Sequence, residues 1–478
     1  MKFNYKYLFL IILIISIGGY VTINSYIGKD ENTVFEKKYN QWFSQKQKDF
    51  IKKYFFPYKA NVFYENTIKK NKKTIKSQTQ KLEALKYINL FEVELDFKKS
   101  LKDFKAPLIS ETKLSNNSTL KTFKLANGFY AGRANWFPGT GYIDFHFNNL
   151  VVVSARGVLG FEENVSDKLS NFKQIKNNIN DFIDVEQFNK NQWFALKDLH
   201  IDKDKNKIFI SYDEEMKPDC WNKSVIWGEM NYTEIQFKKL FSSKDCVSSI
   251  DNIDGTFRAF QSGGRIVNFD DNHILLSVGE YRSRHLAQEI DNINGKVIKI
   301  NINNSSYEIV SMGHRNPQGL FFDKENNYIF ETEHGPKGGD EINLIEVDKF
   351  NSNGIQNYGW AMASAGVHYF GAEVPNRALI NKKYPLYNSH SEHGFIEPLK
   401  SFVPAIGVSQ ITKINRNRYV ASSLRAKSLF FFELDKEKKM TKLEKVEVFE
   451  RVRDIIFKDN KLYLFLEDTA SIGIISVN

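Results

Sequence analysis

The sequence predicts an all-β fold, a six-bladed β-propeller preceded by an N-terminal membrane anchor and a small helical extension. Three observations lead there. No glycine occurs between Gly28 and Gly128, whereas from Gly128 onward short apolar runs alternate with tight turns. Aromatic residues make up 14% of the chain, with 40 Phe and 22 Tyr, which suits the half-buried surfaces of strands. Six later segments also share one layout: an alternating strand, an Asn/Asp turn and a second apolar strand.

These segments read YIDFHFNNLVVVSARG, LKDLHIDKDKNKIFISYDE, GGRIVNFDDNHILLSVGE, QGLFFDKENNYIFETEHG, VSQITKINRNRYVASSLR and VRDIIFKDNKLYLFLED. Their second strands begin near Leu150, Ile208, Ile274, Tyr328, Tyr419 and Leu462. The period is therefore about 45 to 90 residues, that of a propeller blade or somewhat longer. A lone hairpin cannot bury its apolar face, but radial repetition covers every face and protects the edges. A two-sheet sandwich would be unusual at this length, and a β-helix repeats at a shorter interval. The propeller is accordingly placed at residues 126–478.

Residues 1–30 read as a signal anchor. Lys2 and Lys6 precede the run YLFLIILIISIGGYVTINSYI, which is about long enough to cross a bilayer as a helix. The N-terminal lysines keep that end in the cytoplasm. No small-x-small cleavage site follows, so the rest is expected on the periplasmic side of the inner membrane, the alternative being export with cleavage. Residues 31–125 are Lys-rich with helical apolar spacing at Phe35, Tyr39, Trp42 and Phe43 and again at Ile75, Leu82, Leu85 and Ile88. They form the mainly helical extension. The net charge of +10 comes without an Arg-aromatic RNA-binding motif, so no nucleic-acid partner is expected. Export would place Cys220 and Cys246 in an oxidising compartment, where a disulfide is expected.

A propeller gathers ligand sites where strand ends converge on its axis. The polar lead-ins to the third and fourth units, QSGGR at 261–265 and HRNPQ at 314–318, would meet there with EHGPKGGDE at 333–341. Arg315 and Asn316 offer a guanidinium fork and an amide, suited to a planar ligand carrying carboxylates and carbonyls. Gly335, Gly338 and Gly339 let the backbone approach a ligand and aim carbonyls at a hard cation, and Asp340 and Glu341 add carboxylate oxygens. Taken alone, the glycine-rich stretch is equally a long turn with a solvated Asp–Glu pair.

The stretches GHRNPQGLFFD, ETEHGPKGGDEINLIE and NYGWAMASAG stand in one register with SVGE, AQEIDNINGKVIKI, FVPAIGVSQI and ASSLR. Together they resemble the glucose/sorbosone dehydrogenase family, which includes soluble aldose sugar dehydrogenases. The resemblance runs from about residue 128 to the end and is strongest over 261–366. It implies pyrroloquinoline quinone (PQQ) and Ca2+ as cofactors. Arg315, Asn316, Gln318, His334 and Arg425 would face the quinone or the substrate beside it, with Arg315 also catalytic. The carbonyls of Gly335 and Pro336 would hold calcium, and Glu341 and Tyr358 match positions used for an additional structural calcium.

The resemblance also exposes a departure. Where the family carries its general-base histidine, this chain has Gln261, which does not titrate near neutrality. Losing such a base typically costs about 10² to 10⁴ in rate. His314, His334 and Glu333 are candidate replacements, each equally at home as a satisfied strand or turn residue. Gly407 and Val408 stand where Ala-Pro is more usual. The resemblance therefore implies a PQQ-dependent oxidoreductase that takes a sugar or polyol and passes electrons to an external acceptor. The alternative is a catalytically degenerate propeller that binds a carbohydrate or envelope polymer. A hydrolase has no supporting triad.

Overall fold

The computed structural model describes residues 103–125, 140–191, 193–350, 354–369 and 377–477, together with single positions between 44 and 75. The proposed anchor and most of the proposed helical extension lie outside the described residues. Among the described residues, no helix is long and apolar enough to cross a membrane. The chain divides into a unit Met1–Glu83 and a unit Ala84–Asn478, and the propeller lies wholly in the second.

Six sheets of four or five strands form the blades, antiparallel except for the two-residue edge strand Gln356–Asn357, which pairs parallel. Their innermost strands are Gly141–His146, Leu196–Asp202, Gly263–Asp270, Pro317–Asp323, Val408–Asn415 and Val452–Lys458, and each neighbours the next around a ring. The six second strands are those the repeat marked: Asn149–Ser154, Lys207–Lys217, His273–Val278, Tyr328–Glu333, Arg418–Ser423 and Lys461–Leu466. Each lies between two strands of its own sheet and between two neighbouring blades. Runs such as Leu150, Val151, Val152 and Val153 are therefore buried on both faces instead of alternating.

The ring closes by pairing its two ends. Thr119–Lys124 hydrogen-bonds antiparallel to the C-terminal strand Ser471–Ser476, and Leu108–Lys113 adds outside it. Asp103–Lys105 forms the outer edge of blade 1 against Asn171–Gln174. The helical extension drawn to residue 125 is thus too long, because residues from 103 onward are strands of the propeller. The segment is short and Lys-rich; Leu108–Lys113 and Thr119–Lys124 form a hairpin, and the C-terminal strand about 350 residues away completes the pairing of the latter. Leu120 and Phe123 bury themselves in the blades they complete.

One polar residue recurs near the start of each inner strand: Asp144, Asp198, Arg265, Gln318, Gln410 and Asp454. Asp454 accepts from the Ile143 N–H of blade 1 (2.9 Å), Asp144 from Ile201 of blade 2 (2.7 Å) and Asp198 from Ile266 of blade 3 (2.7 Å). Gln410 accepts from Leu320 of blade 4 at 3.0 Å. Buried backbone donors that no ladder satisfies are thereby paired across blade boundaries. Arg265 is the hub. It donates to Asp198 (2.7 Å), Asp454 (2.8 Å), the Gln318 carbonyl (2.7 Å) and the Arg453 carbonyl (2.8 Å). Blades 2, 3, 4 and 6 thus meet on one guanidinium.

Candidate functional site

A cavity of about 410 Å3 opens where the inner strands of blades 3, 4 and 5 begin. Arg258, Phe260 and Gln261 lead into blade 3, Arg315 and Asn316 into blade 4, and Ala405 and Gly407 into blade 5. Arg282, His334, Gly335 and Arg425 follow the second strands of the same blades. Asp340 and Tyr369 complete the lining. This size is within the range of small-molecule sites.

Of the residues singled out in the sequence, Gln261, Arg315, Asn316, His334, Gly335 and Arg425 come together here. Gln261 is 3% exposed, and its Oε1 has no hydrogen-bond partner. Its backbone is pinned by the Tyr281 N–H (2.8 Å), and Tyr281 and Ser262 both donate to the buried Asp213 at 2.5 and 3.3 Å. Arg315 donates to the His334 carbonyl at 2.7 Å and lies over the Trp360 ring at 5.3 Å. Burial lowers its pKa from the usual arginine value, with Glu280 opposing.

Gln318 does not reach the cavity. It donates to Asn316 Oδ1 at 3.0 Å and accepts from Arg453 at 2.9 Å, so it positions Asn316 from behind. Asn316 Oδ1 also accepts from the Gly263 N–H at 3.2 Å, which turns the amide nitrogen toward His334 Nδ1 at 3.5 Å. Burial depresses the His334 pKa, with Asp340 opposing and Arg453 and Arg315 adding to it. The His334 Nε2 is buried and has no hydrogen-bond partner, which leaves that ring nitrogen for a ligand.

The glycine-rich loop packs on itself. A Cβ on Gly335 would stand 1.5 Å from the Gly339 carbonyl oxygen, so only glycine fits there. Asp340 accepts from the N–H groups of Gly335 (3.2 Å), Gly407 (2.5 Å) and Val408 (3.3 Å), tying blade 4 to blade 5. Gly407 has φ +65, and a Cβ there would meet the Arg425 backbone at 2.9 Å, which accounts for glycine at that position. The Pro336 carbonyl accepts from Gly339 at 3.2 Å, and Pro336 is absent from the cavity lining.

Glu341 and Tyr358 also lie away from the cavity. Glu341 faces His390 at 3.7 Å on the opposite side of its strand from Asp340. Tyr358 stacks on His314, ring centres 5.0 Å apart, and its hydroxyl donates to the Leu344 carbonyl. In the same interior, ligand atoms of His314, Glu331 and Glu333 lie within 4.8 Å of one another. Burial and then Glu333 push Glu331 and Glu341 well above the carboxylate range. Glu333 accepts from the Arg315 N–H and from Asn343. His314 and Glu333 are therefore parts of this interior and not replacement bases in the cavity.

Sequence reasoning missed Arg258, Arg282 and Glu280. Arg282 is 6% exposed, and its Nε has no partner. Burial and then Arg284, Arg315 and Arg258 bring its pKa down to about 10. Glu280 lies behind this wall with both carboxylate oxygens unpartnered, and burial raises it to about 7 against Arg315 and Arg284. The sequence signal was RSRH at 282–285, one residue beyond SVGE and inside a stretch already recognised.

Fold and site together define a six-bladed propeller whose cationic cavity carries unpartnered hydrogen-bonding groups, the class to which soluble sugar dehydrogenases of this architecture belong. The profile of the Glucose / Sorbosone dehydrogenase family matches residues 172–475, and the chain belongs to that family. It is 34% identical over 126 residues to the aldose sugar dehydrogenase YliI of Escherichia coli, covering 24% of this chain and 32% of the relative. It is 32% identical over 127 residues to quinoprotein glucose dehydrogenase B of Acinetobacter calcoaceticus, covering 20% and 25%. The aligned regions thus span between a quarter and a third of these curated relatives. Among solved structures, a glucose dehydrogenase superposes with a TM-score of 0.54 at 21% identity, covering 71% of this chain and 96% of the other. The soluble aldose sugar dehydrogenase of E. coli gives 0.53 at 18%, covering 79% and 99%. At these identities the superpositions establish the fold.

Proposed function

We propose that this protein is a PQQ-dependent oxidoreductase acting on a sugar or polyol. The observation that carries the reading is the convergence of Arg315, Arg425, Asn316 and the unpartnered His334 Nε2 on one cavity. These groups fit a planar anion bearing carboxylates and carbonyls. Arg315 and Arg425 would bind its charge, Asn316 and His334 would donate to its oxygens, and Gln318 would hold Asn316 in register. The carbonyls of Gly335 and Pro336 would take Ca2+, the latter alongside its turn hydrogen bond. Glu341 and Tyr358 would serve an additional structural calcium.

When bound, the quinone would supply a two-electron hydride acceptor and calcium a Lewis acid; oxidation of a substrate alcohol to a carbonyl also releases the hydroxyl proton, which solvent water would take because Gln261 cannot. The chain's own contribution is binding and orientation. Gln261 Oε1 would accept a hydrogen bond from the substrate hydroxyl without taking its proton. That favours slow turnover, and it gives weight to a second reading in which the propeller binds a carbohydrate or envelope polymer without oxidising it.

The proposed setting is the periplasmic side of the inner membrane, reached by residues 1–30 as an anchor, with residues 31–102 as the segment between anchor and propeller. The Cys220–Cys246 bridge, Cα atoms 5.3 Å apart, supports an oxidising compartment. The test is dye reduction by protein incubated with PQQ and Ca2+ over a panel of sugars and polyols. Turnover that rises in Gln261→His supports the enzyme; quinone binding with no turnover in either form supports the binding-only reading.

A further inference from the structure

Behind Arg315, the interior of blade 4 holds four polar residues that have no role in the reading above. His314 precedes the inner strand, and Glu331 and Glu333 lie two residues apart on the second strand, hence on one face. On the third strand, Asp340–Glu346, Asn343 stands opposite Glu331 and Glu341 opposite Glu333. His314, Glu331 and Asn343 are 0% exposed, and Glu333 is 2% exposed.

Their ligand atoms face one another. His314 Nδ1 has no hydrogen-bond partner and stands 3.5 Å from Glu331 Oε2 and 3.6 Å from Glu333 Oε1. Donor atoms about 2.0 to 2.1 Å from a tetrahedral ion stand about 3.3 to 3.4 Å apart, so this spacing is close to that of ligands around one metal. The imidazole is fixed from outside: Nε2 pairs with Ser311 Oγ at 2.8 Å, and Tyr358 stacks on the ring with centres 5.0 Å apart. A hydroxyl partner lets Nε2 carry the proton and leaves the lone pair on Nδ1, the arrangement that metal-bound histidines use.

Asn343 closes a further side. Its Nδ2 donates to Glu331 Oε2 at 2.9 Å and to Glu333 Oε1 at 3.1 Å, and its Oδ1 has no partner. A half-turn of the amide exchanges nitrogen and oxygen and offers an oxygen as fourth ligand. Among the described residues, no lysine or arginine side chain pairs with Glu331 or Glu333. The Arg315 guanidinium turns instead to the His334 carbonyl at 2.7 Å and acts on Glu333 from a distance. Two carboxylates buried this deeply repel each other, and a divalent cation between them offsets both the repulsion and the lost hydration.

We infer that His314, Glu331 and Glu333 form a closed structural site for a divalent transition-metal ion such as Zn2+, with Asn343 as fourth ligand. An imidazole in the set favours such an ion over Ca2+, which takes oxygen ligands. Glu341 is outside the set and faces His390 at 3.7 Å. The other oxygen of Glu333 accepts from the Arg315 N–H, so the ion would tie three strands of blade 4 together and hold Arg315 in the cavity wall. The inference does not rest on the quinone reading.

Full-length protein is freed of metal with a chelator, saturated with Ca2+ and titrated with Zn2+, followed by calorimetry and thermal unfolding. One Zn2+ per chain is expected to bind and to raise the melting temperature. Glu331→Gln should weaken that binding at least about tenfold. Should this variant fail to fold, Co2+ added to wild type reports instead, with the visible absorption of a four-coordinate nitrogen and oxygen site expected. No saturable Zn2+ binding by wild type, or no such Co2+ spectrum, overturns the inference. So does Zn2+ binding that Glu331→Gln leaves unchanged, which would place the ion elsewhere, or binding abolished by Ca2+, which would make the site a calcium site. Zn2+ uptake by a wild-type protein that fails to bind PQQ removes the quinone reading and leaves the metal site standing.

Discussion

Replacing Arg265 by Met keeps an unbranched apolar stem and removes the charge at the centre of the propeller. The variant loses four hydrogen bonds and leaves Asp198 and Asp454, both buried, without their shared cation. Breaking a buried ion pair from one side costs about 3 to 5 kcal/mol, a large share of the 5 to 15 typical of a folded domain. The pH dependence is a further signature. Burial already holds Asp198 up to about 7, with Asp454 adding and Arg265 opposing. Without the arginine both carboxyls rise further. A folded-state pKa above the unfolded one favours folding at low pH, and that advantage is lost as pH rises through the folded value. The deficit of Arg265→Met should therefore be larger at pH 8 than at pH 5.5, and Asp198→Asn with Asp454→Asn in the same chain should recover part of it. Urea unfolding followed by tryptophan fluorescence measures this. A variant as stable as wild type at pH 8, or one more impaired at pH 5.5, would refute the reasoning.

Three further outcomes follow from the same structure. Glu280→Gln should remove a pH-dependent destabilisation: with the folded pKa at about 7 and an unfolded value of 4.5, wild type loses up to about 3 kcal/mol between pH 4.5 and pH 8, and the variant's melting temperature should vary less over that range. Cys220→Ala with Cys246→Ala opens a loop of sequence separation 26 and should cost about 3 kcal/mol in denaturant titration, leaving the blade fold intact by circular dichroism. A chain beginning at residue 126 lacks Thr119–Lys124 and should be insoluble or unfolded, whereas one beginning at residue 84 should fold, because it keeps the strand that closes blade 6.

Where local pattern and tertiary role agreed, the sequence was readable. The six second strands are apolar on both faces, and their starts were placed correctly from turn residues alone. The cavity was anticipated at the lead-ins to blades 3 and 4 because Gln261, Arg315 and Asn316 sit at equivalent places in the repeat. What was hidden depended on distance or on backbone conformation. Thr119–Lys124 pairs with the local strand Leu108–Lys113 on one side, but its place in blade 6 is set by Ser471–Ser476, which no local window contains. Asn316 and Gln318 are two residues apart where the inner strand's pairing slips register between Pro317 and Gly319, and one lines the cavity while the other supports it. Asp340 and Glu341 are adjacent and therefore on opposite faces, which sent one to the cavity and the other to the buried acids. Arg282 enters the wall only because Tyr281 and Arg282 are both left-handed, a conformation that neither residue type announces.

The central claim is that the cavity between blades 3, 4 and 5 holds a quinone cofactor. Equilibrium titration of full-length protein with PQQ in the presence of Ca2+, followed by quinone absorbance, tests it most directly. Saturable binding at one site per chain, weakened at least about tenfold by Arg315→Ala through loss of a charge-assisted contact, is the predicted result. No saturable binding by wild type, or binding indifferent to Arg315, would contradict it.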